Sequence, residues 1–431
     1  MTPAELSRTV LSTVRRAVEA GELRTPVPTR AVVQRPPRPG CGDYATNIAL
    51  QLARPAGRAP RQVAEILRSL LADAPGIARV DIAEPGFLNI TLDGPAHTGL
   101  VRSVISRGIA YGYGDSLAGQ VIELAFPHET RAAVTADTLA RILCTQSAEA
   151  VTVRCERPPD PHWAELGVTG DAYEPTPASV RAVPGGQYDS ASVRAVPGGQ
   201  YDSASVRAVP GGQYDPAPAQ AVRGGQHGPA PVRAVERVRP VPVKASAAEL
   251  LRTLGPDAAR WALLRPAAHD HSRTGPHDLL AQRESNPLFR IQYAHARVAA
   301  LLRNAADLGV TPAPAPATTA AQSEPGDPGD PGDPGDPGHL TASSDELLAT
   351  LAEYPAVLAS AARLRAPDRV ARHLEATADA FFRFHDSCPV LPRGDEKPEA
   401  AHRSRAALAQ AAGTVLASGL NLLGITAPAH L

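Results

Sequence analysis

The sequence predicts a multidomain α/β and α protein: an N-terminal α+β domain, a short α/β piece, and a C-terminal all-α helix bundle. Three observations predict it. Apolar residues recur at three- and four-residue spacing near both ends of the chain. A strand–helix–strand pattern follows residue 120. Two tracts rich in proline and glycine separate the patterned segments, as linkers do. At 431 residues, two or three compact units with linkers are expected.

Leu6, Val10, Leu11, Val14 and Val18 form the stripe of a first amphipathic helix over residues 1–20. A second helix is predicted from Ala45 to Leu52. A third follows Pro60, where Val63, Ile66, Leu67, Leu70 and Leu71 share one face. Residues 78–82 and 87–92 alternate as strands around the Pro85-Gly86 turn, which completes a small α+β domain over 1–117. Strands at 121–125 and 150–154 flank a helix from Thr135 to Leu143. This is the opening of a Rossmann-like nucleotide-binding sheet, and it stops there, as a truncated remnant over 118–172.

A 13-residue repeat follows: Ser179-Val180-Arg181-Ala182-Val183-Pro184-Gly185-Gly186-Gln187-Tyr188-Asp189 recurs from Ser192 and from Ser205. Each unit carries one arginine against one aspartate and so gathers little field for a polyanion. The segment 173–244 therefore reads as a disordered linker enlarged by duplication, with a base-stacking RNA arm as the alternative. Helical patterns resume over 245–310 and 340–431, on either side of a Pro-Gly-Asp spacer at 311–339.

The formal net charge of -1 excludes a polycation that binds nucleic acid indiscriminately, so any RNA contact must be local. Four cysteines without a C-x-x-C pair signal neither a disulfide framework nor a zinc site, and no metal is expected. No segment reads as the roughly 20 apolar residues of a membrane span. A soluble cytoplasmic protein, without a membrane partner, is the expectation.

Several strings resemble arginyl-tRNA synthetases of the actinobacterial type. Gly42-Asp43-Tyr44-Ala45-Thr46-Asn47-Ile48-Ala49-Leu50-Gln51-Leu52-Ala53, Pro60-Arg61-Gln62-Val63-Ala64-Glu65 and Pro85-Gly86-Phe87-Leu88-Asn89 resemble that family's N-terminal tRNA-contacting domain. Asn286-Pro287-Leu288-Phe289-Arg290-Ile291-Gln292-Tyr293-Ala294-His295-Ala296-Arg297 resembles the opening of its DALR anticodon-binding bundle. Phe382-Arg383-Phe384-His385-Asp386-Ser387-Cys388 and Asn421-Leu422-Leu423-Gly424-Ile425-Thr426-Ala427-Pro428 resemble its close. The resemblance implies tRNA contact by Phe87 and Asn89 at the elbow, and by Phe289, Arg290, Gln292, Tyr293, His295, Arg297 and His385 near the anticodon. From the residues alone, Phe87 stands equally as core and Asn89 as a turn cap, and Tyr293 and His295 as interior packing. His385 and the Ala429-His430-Leu431 tail depart from the family pattern, which usually has tyrosine at the first position.

The family's catalytic signatures do not carry over. Amino-acid activation there uses a His-x-Gly-His turn to stabilise the phosphate transition state, and no two of the thirteen histidines here are three residues apart. The corresponding segment reads Phe126-Pro127-His128-Glu129-Thr130-Arg131, with His128 expected as an exposed loop residue. The expectation is a catalytically inactive, monomeric paralogue that binds tRNA, arginine tRNA first among the species to test. No catalytic residues and no cofactor are assigned, ATP entering only with residual ligase activity. The alternatives are a divergent arginine–tRNA ligase or a tRNA-supplying subunit, and a scaffold for a protein partner.

Overall fold

The structure, a computed structural model, describes residues 1–36, 41–168, 232–314 and 342–431. The three full copies of the 13-residue repeat and the Pro-Gly-Asp tract lie outside the described residues.

The N-terminal unit packs helices α1 (Pro3–Glu19), α2 (Ile48–Ala56) and α3 (Pro60–Ala72) on an antiparallel sheet. Its strands are β1 (Val33–Gln34), β2 (Tyr44–Thr46), β3 (Ile77–Ala83) and β4 (Phe87–Leu92), in the order β1-β2-β4-β3. Thr2 and Glu5 close a reciprocal capping box at the start of α1. Leu6, Val10 and Val14 of α1 meet Ile48, Leu52, Val63, Leu67, Leu88 and Ile90 in the core. Residues 45–46, predicted as helix, belong to β2, and the helix begins only at Ile48. The cause is long-range. The Asp43 carboxylate accepts from the Leu92 N–H at 2.7 Å and the Asp43 N–H donates to Ile90 O at 2.9 Å, which draws the segment onto β4. Gly42 permits that approach, with φ +89° and Ile90 O only 2.9 Å from where a Cβ would sit.

A second and larger core is shared by the α/β piece and the helices. Helix α4 (Gly94–Arg107) leads into it, followed by β5 (Gln120–Phe126), α5 (Thr130–Cys144) and β6 (Ala150–Cys155). The sheet does not stop there. Strand β7 (Val232–Arg237), from the far end of the segment read as linker, pairs parallel with β5 and gives the order β6-β5-β7. Glu236 on β7 forms a two-nitrogen ion pair with Arg365, which anchors the strand. That partner is remote in sequence, so the Pro/Val/Arg-rich composition concealed the strand.

The helical layer comprises α6 (Ala247–Leu264), α7 (Pro276–Leu279), α8 (Pro287–Asp307), α9 (Ala342–Leu364), α10 (Asp368–Ser387) and α11 (Ala400–Leu423). Contrary to the sequence reading, α9 and α11 are long and apolar enough to cross a membrane by length and composition. Their apolar residues, Leu347, Leu351, Leu358, Leu408, Val415 and Leu416 among them, are spent inside the second core. Arg260 of α6 is 1% exposed and ties the layers together. It donates to Leu423 O and Leu166 O at 2.6 Å, to Asp137 at 2.8 Å and to Thr138 at 2.9 Å.

Candidate functional site

Helix α8 starts cleanly because Asn286 caps it: its side-chain oxygen accepts from the Leu288 N–H, and its amide donates to Leu279 O and Ala281 O. Ile291, Ala294 and Val298 then face the core. Phe289 and Tyr293, one turn apart, rise on another side and meet α10. The Phe289 and Tyr293 rings lie 5.7 Å apart at 4°, and Tyr293 and Phe382 lie 5.7 Å apart at 23°. Three rings thus form one stacked platform, with Tyr293 41% exposed. The Arg290 guanidinium sits 4.8 Å from the centre of the Phe382 ring and donates to Asp379 at 2.6 Å.

One turn further along α8, Arg297 Nε donates to His385 Nε2 at 3.3 Å. Burial first, and the Arg297 charge second, hold the His385 pKa below the ordinary histidine value. A neutral His385 is what an accepting Nε2 requires. Beside the pair is a cavity of about 350 Å³, whose lining includes Arg297, Asn304, His385, Cys388, Leu391 and Arg393.

Gln292 and His295 lie off this face. The Gln292 amide donates to Asp257 at 3.1 Å and to Thr426 O at 3.0 Å, and His295 Nδ1 donates to Pro428 O at 2.8 Å. Both hold the C-terminal segment against α8. The site residues that the sequence reading did not single out are Asp379, Phe382, Asn304 and Arg393. Phe382 and His385 share a helix face at three-residue spacing, which is the signal a sequence offers. That α10 lies beside α8 is not written locally.

Phe87 and Asn89 occupy the other body. On β4, Leu88, Ile90 and Leu92 are buried, while Phe87, Asn89 and Thr91 are half-buried on the opposite face. Asn89 stands opposite Ala45 and Asp81 in the sheet, and so lies within a strand.

The carboxyl end of β5 is filled by the chain itself. Glu129 caps α5, accepting from the Ala132 N–H at 2.7 Å and, through its other oxygen, from the Val243 N–H at 3.0 Å. Arg131 is 1% exposed. It donates to five carbonyl oxygens, those of Leu263, Val241, Asp270, Pro266 and Ala267, at 2.7–3.0 Å. His128, expected as an exposed loop residue, is half-buried with its ring 4.9 Å from that of Trp163. Trp163 also packs on Phe126 and donates to the Thr130 hydroxyl at 3.4 Å.

Comparison with known proteins fits this geometry at both ends of the chain. Residues 5–92 match the arginyl tRNA synthetase N terminal domain, and residues 291–431 match the DALR anticodon binding domain. The arginine–tRNA ligase of Renibacterium salmoninarum is 30% identical, with all of both chains covered, and that of Frankia alni is 30% identical with the same coverage. The chain belongs to the arginyl-tRNA synthetase family. The fold agrees: the arginyl-tRNA synthetase of Thermus thermophilus matches at a TM-score of 0.57 and 15% identity, covering all of both chains. That of Plasmodium falciparum matches at 0.61 and 9% identity, over 100% of this chain and 99% of its own. The alignment to the Renibacterium ligase runs over 568 residues against 431 here, so at least 137 of its positions hold no residue of this synthetase-family chain. The aromatic platform falls inside the DALR domain, with only Phe289 and Arg290 just ahead of the matched residues, and β4 closes the matched N-terminal domain.

Proposed function

We propose that this chain binds tRNA, through the sheet face of Phe87 and Asn89 at the elbow and the α8–α10 face at the anticodon, and does not activate arginine. The observation that carries the second half is the carboxyl end of β5. In open α/β sheets a nucleotide binds beyond the carboxyl ends of the strands, with its phosphates at a helix N-terminus. Here the Glu129 carboxylate takes that position on α5, and its second oxygen is tied to Val243. An ATP phosphate brought to the same N–H groups would meet a carboxylate of like sign. The segment lacks a histidine pair, and the alignment's unfilled positions fit a shortened catalytic domain.

The first half draws on the platform. An unstacked base needs an aromatic plane and its phosphate a guanidinium, and Phe289, Tyr293 and Phe382 stand beside Arg290 and Arg297. Two modest contact sites on one rigid RNA reinforce each other through effective concentration, so a net charge of -1 is no obstacle. A second reading, a divergent arginine–tRNA ligase, is favoured by the full-length alignment to proteins of that name.

Filter-binding titrations against total tRNA and arginine tRNA transcripts, over a salt series, test the binding. Tyr293→Ala and Phe382→Ala are expected to weaken it by about 1–3 kcal/mol each, the worth of one stacked base. Arg297→Ala is expected to flatten the salt slope by about one phosphate contact. Gln292→Ala, whose amide reaches Asp257 and the tail rather than the platform, is expected to leave the slope intact. Absence of binding at low salt sinks the tRNA reading. Arginine-dependent exchange of pyrophosphate into ATP is expected to be undetectable, and a measurable rate restores the ligase reading.

A further inference from the structure

Two guanidinium groups on α8 and α10 are already matched to acids. Arg290 meets Asp379 at 2.6 Å, and Arg383 meets Glu346 through two nitrogens at 2.8 Å. The cavity beside His385 differs. Arg297 from α8 and Arg393 from the segment after α10 both line it, and neither guanidinium has a carboxylate partner among the described residues. Asn304 adds an amide to the same lining, which includes no Asp or Glu among the described residues. Donors gathered without an acid are the chemistry of an anion site.

His385 sets the charge of this cavity. Its Nε2 accepts from Arg297 Nε, so the neutral ring carries its proton on Nδ1. That atom is buried and without a hydrogen-bond partner among the described residues. A buried donor left without an acceptor favours an oxygen brought to it. A second proton, on Nε2, turns donor against donor at 3.3 Å and sets two cations side by side. The exposed Arg297 is then free to leave the ring, and the cavity carries one more positive charge. Burial and Arg297 oppose that proton, and Asp386 on α10 favours it less strongly. The other neighbours are engaged. Glu346 of α9 is held by Arg383, Arg405 of α11 donates to Pro389 O at 2.9 Å, and the Cys388 thiol lies 3.7 Å from the Ser344 hydroxyl. An anion in the cavity reverses the balance.

We propose that this cavity is a proton-coupled site for a phosphate group, which enters as His385 takes up a proton and Arg297 turns from the ring to the anion. The RNA backbone is the source of that phosphate if the tRNA reading holds, and a free phosphate anion shares the chemistry. By linkage, the anion raises the His385 pKa by the same factor by which the proton tightens the anion. In the empty site that pKa lies below 6.5. Affinity is therefore flat well above the pKa of the occupied site, rises as the pH falls through it, and levels off below that of the empty site.

NMR of the full-length protein labelled with carbon-13 at histidine Cε1 tests this, the His385 signal being assigned by its loss in His385→Gln. Its titration midpoint is read in sodium chloride and in sodium sulfate at equal ionic strength, sulfate standing for the phosphate. Circular dichroism at each pH confines the comparison to folded protein. The midpoint is expected to lie below 6.5 in chloride and to rise in sulfate. Arg297→Ala is expected to raise it in chloride and to blunt the sulfate shift. Filter binding of tRNA from about pH 8 to about pH 6 separates the two sources. Acidification is expected to tighten wild-type binding by up to about tenfold, the equivalent of one pKa unit, and to change His385→Gln and His385→Tyr less. A midpoint that sulfate leaves unmoved, or a sulfate shift as large in Arg297→Ala as in the wild type, overturns the proposal. A sulfate-raised midpoint without tRNA binding at any pH upholds the anion site and sinks the tRNA reading instead. Parallel pH courses of tRNA affinity in wild type and variants uphold the site and exclude RNA as its source.

Discussion

Arg260→Met is expected to lower stability by about 3–5 kcal/mol, the cost of removing one partner of a buried ion pair. The guanidinium connects three elements at once. It meets the Asp137 carboxylate and Thr138 hydroxyl of α5, the Leu423 carbonyl at the end of α11 and the Leu166 carbonyl after β6. Asp137 is 7% exposed and, among the described residues, keeps only Arg141, at 3.2 Å, as a counter-charge once Arg260 is gone. Methionine fills part of the volume but satisfies neither the carboxylate nor the two carbonyls. Gly424 belongs to the same arrangement, since a Cβ there would sit 2.5 Å from the Arg260 Cζ. Urea titration followed by far-UV circular dichroism measures the loss as a lowered midpoint. The companion Arg260→Met, Asp137→Leu removes the orphaned charge and is expected to recover part of it. A midpoint unchanged in Arg260→Met contradicts the assignment.

Acidification is expected to weaken the protein by about 3 kcal/mol between pH 6.5 and pH 4 through His373 alone. Its ring is buried, stacked 5.5 Å from that of Tyr354, with Nε2 lacking a hydrogen-bond partner among the described residues. Burial, and after it the charge of Arg35, pushes its pKa from 6.5 to about 4. The unfolded chain therefore binds the proton more tightly than the folded one. Stability is full above about pH 6.5, falls as the pH drops toward 4, and levels off below. His373→Phe keeps a ring on Tyr354 and removes the titration, so its unfolding midpoint should vary less over that window. Superimposable pH profiles for the two proteins contradict the prediction.

Helices α1, α3 and α8 were legible because their stripes are local: Leu6, Val10 and Val14, or Ile291, Ala294 and Val298, recur at the helical period whatever else is present. The alternation of Leu88, Ile90 and Leu92 marked β4 in the same way. Three strands escaped, the two-residue β1 among them. Residues of β2 carry no alternation of their own and are drawn into the sheet by Asp43 and β4. Strand β7 hid in a biased composition.

The candidate site divides along the same line. Phe289 and Tyr293 share a helix side by spacing alone, so their company could be read from the chain. Their third ring, Phe382, lies 89 residues beyond Tyr293, and the Gln292 and His295 partners on the C-terminal segment lie 134 and 133 residues away. Membership of the arginyl-tRNA synthetase family, the helix inventory and the loss of the histidine pair reside in short strings and local periods. Packing alone assigns Gln292 and His295 to the tail, Arg297 to His385 and Glu129 to the seat at α5. Those assignments depend on which groups meet across the fold, where a buried polar atom takes the partner that packing brings to it.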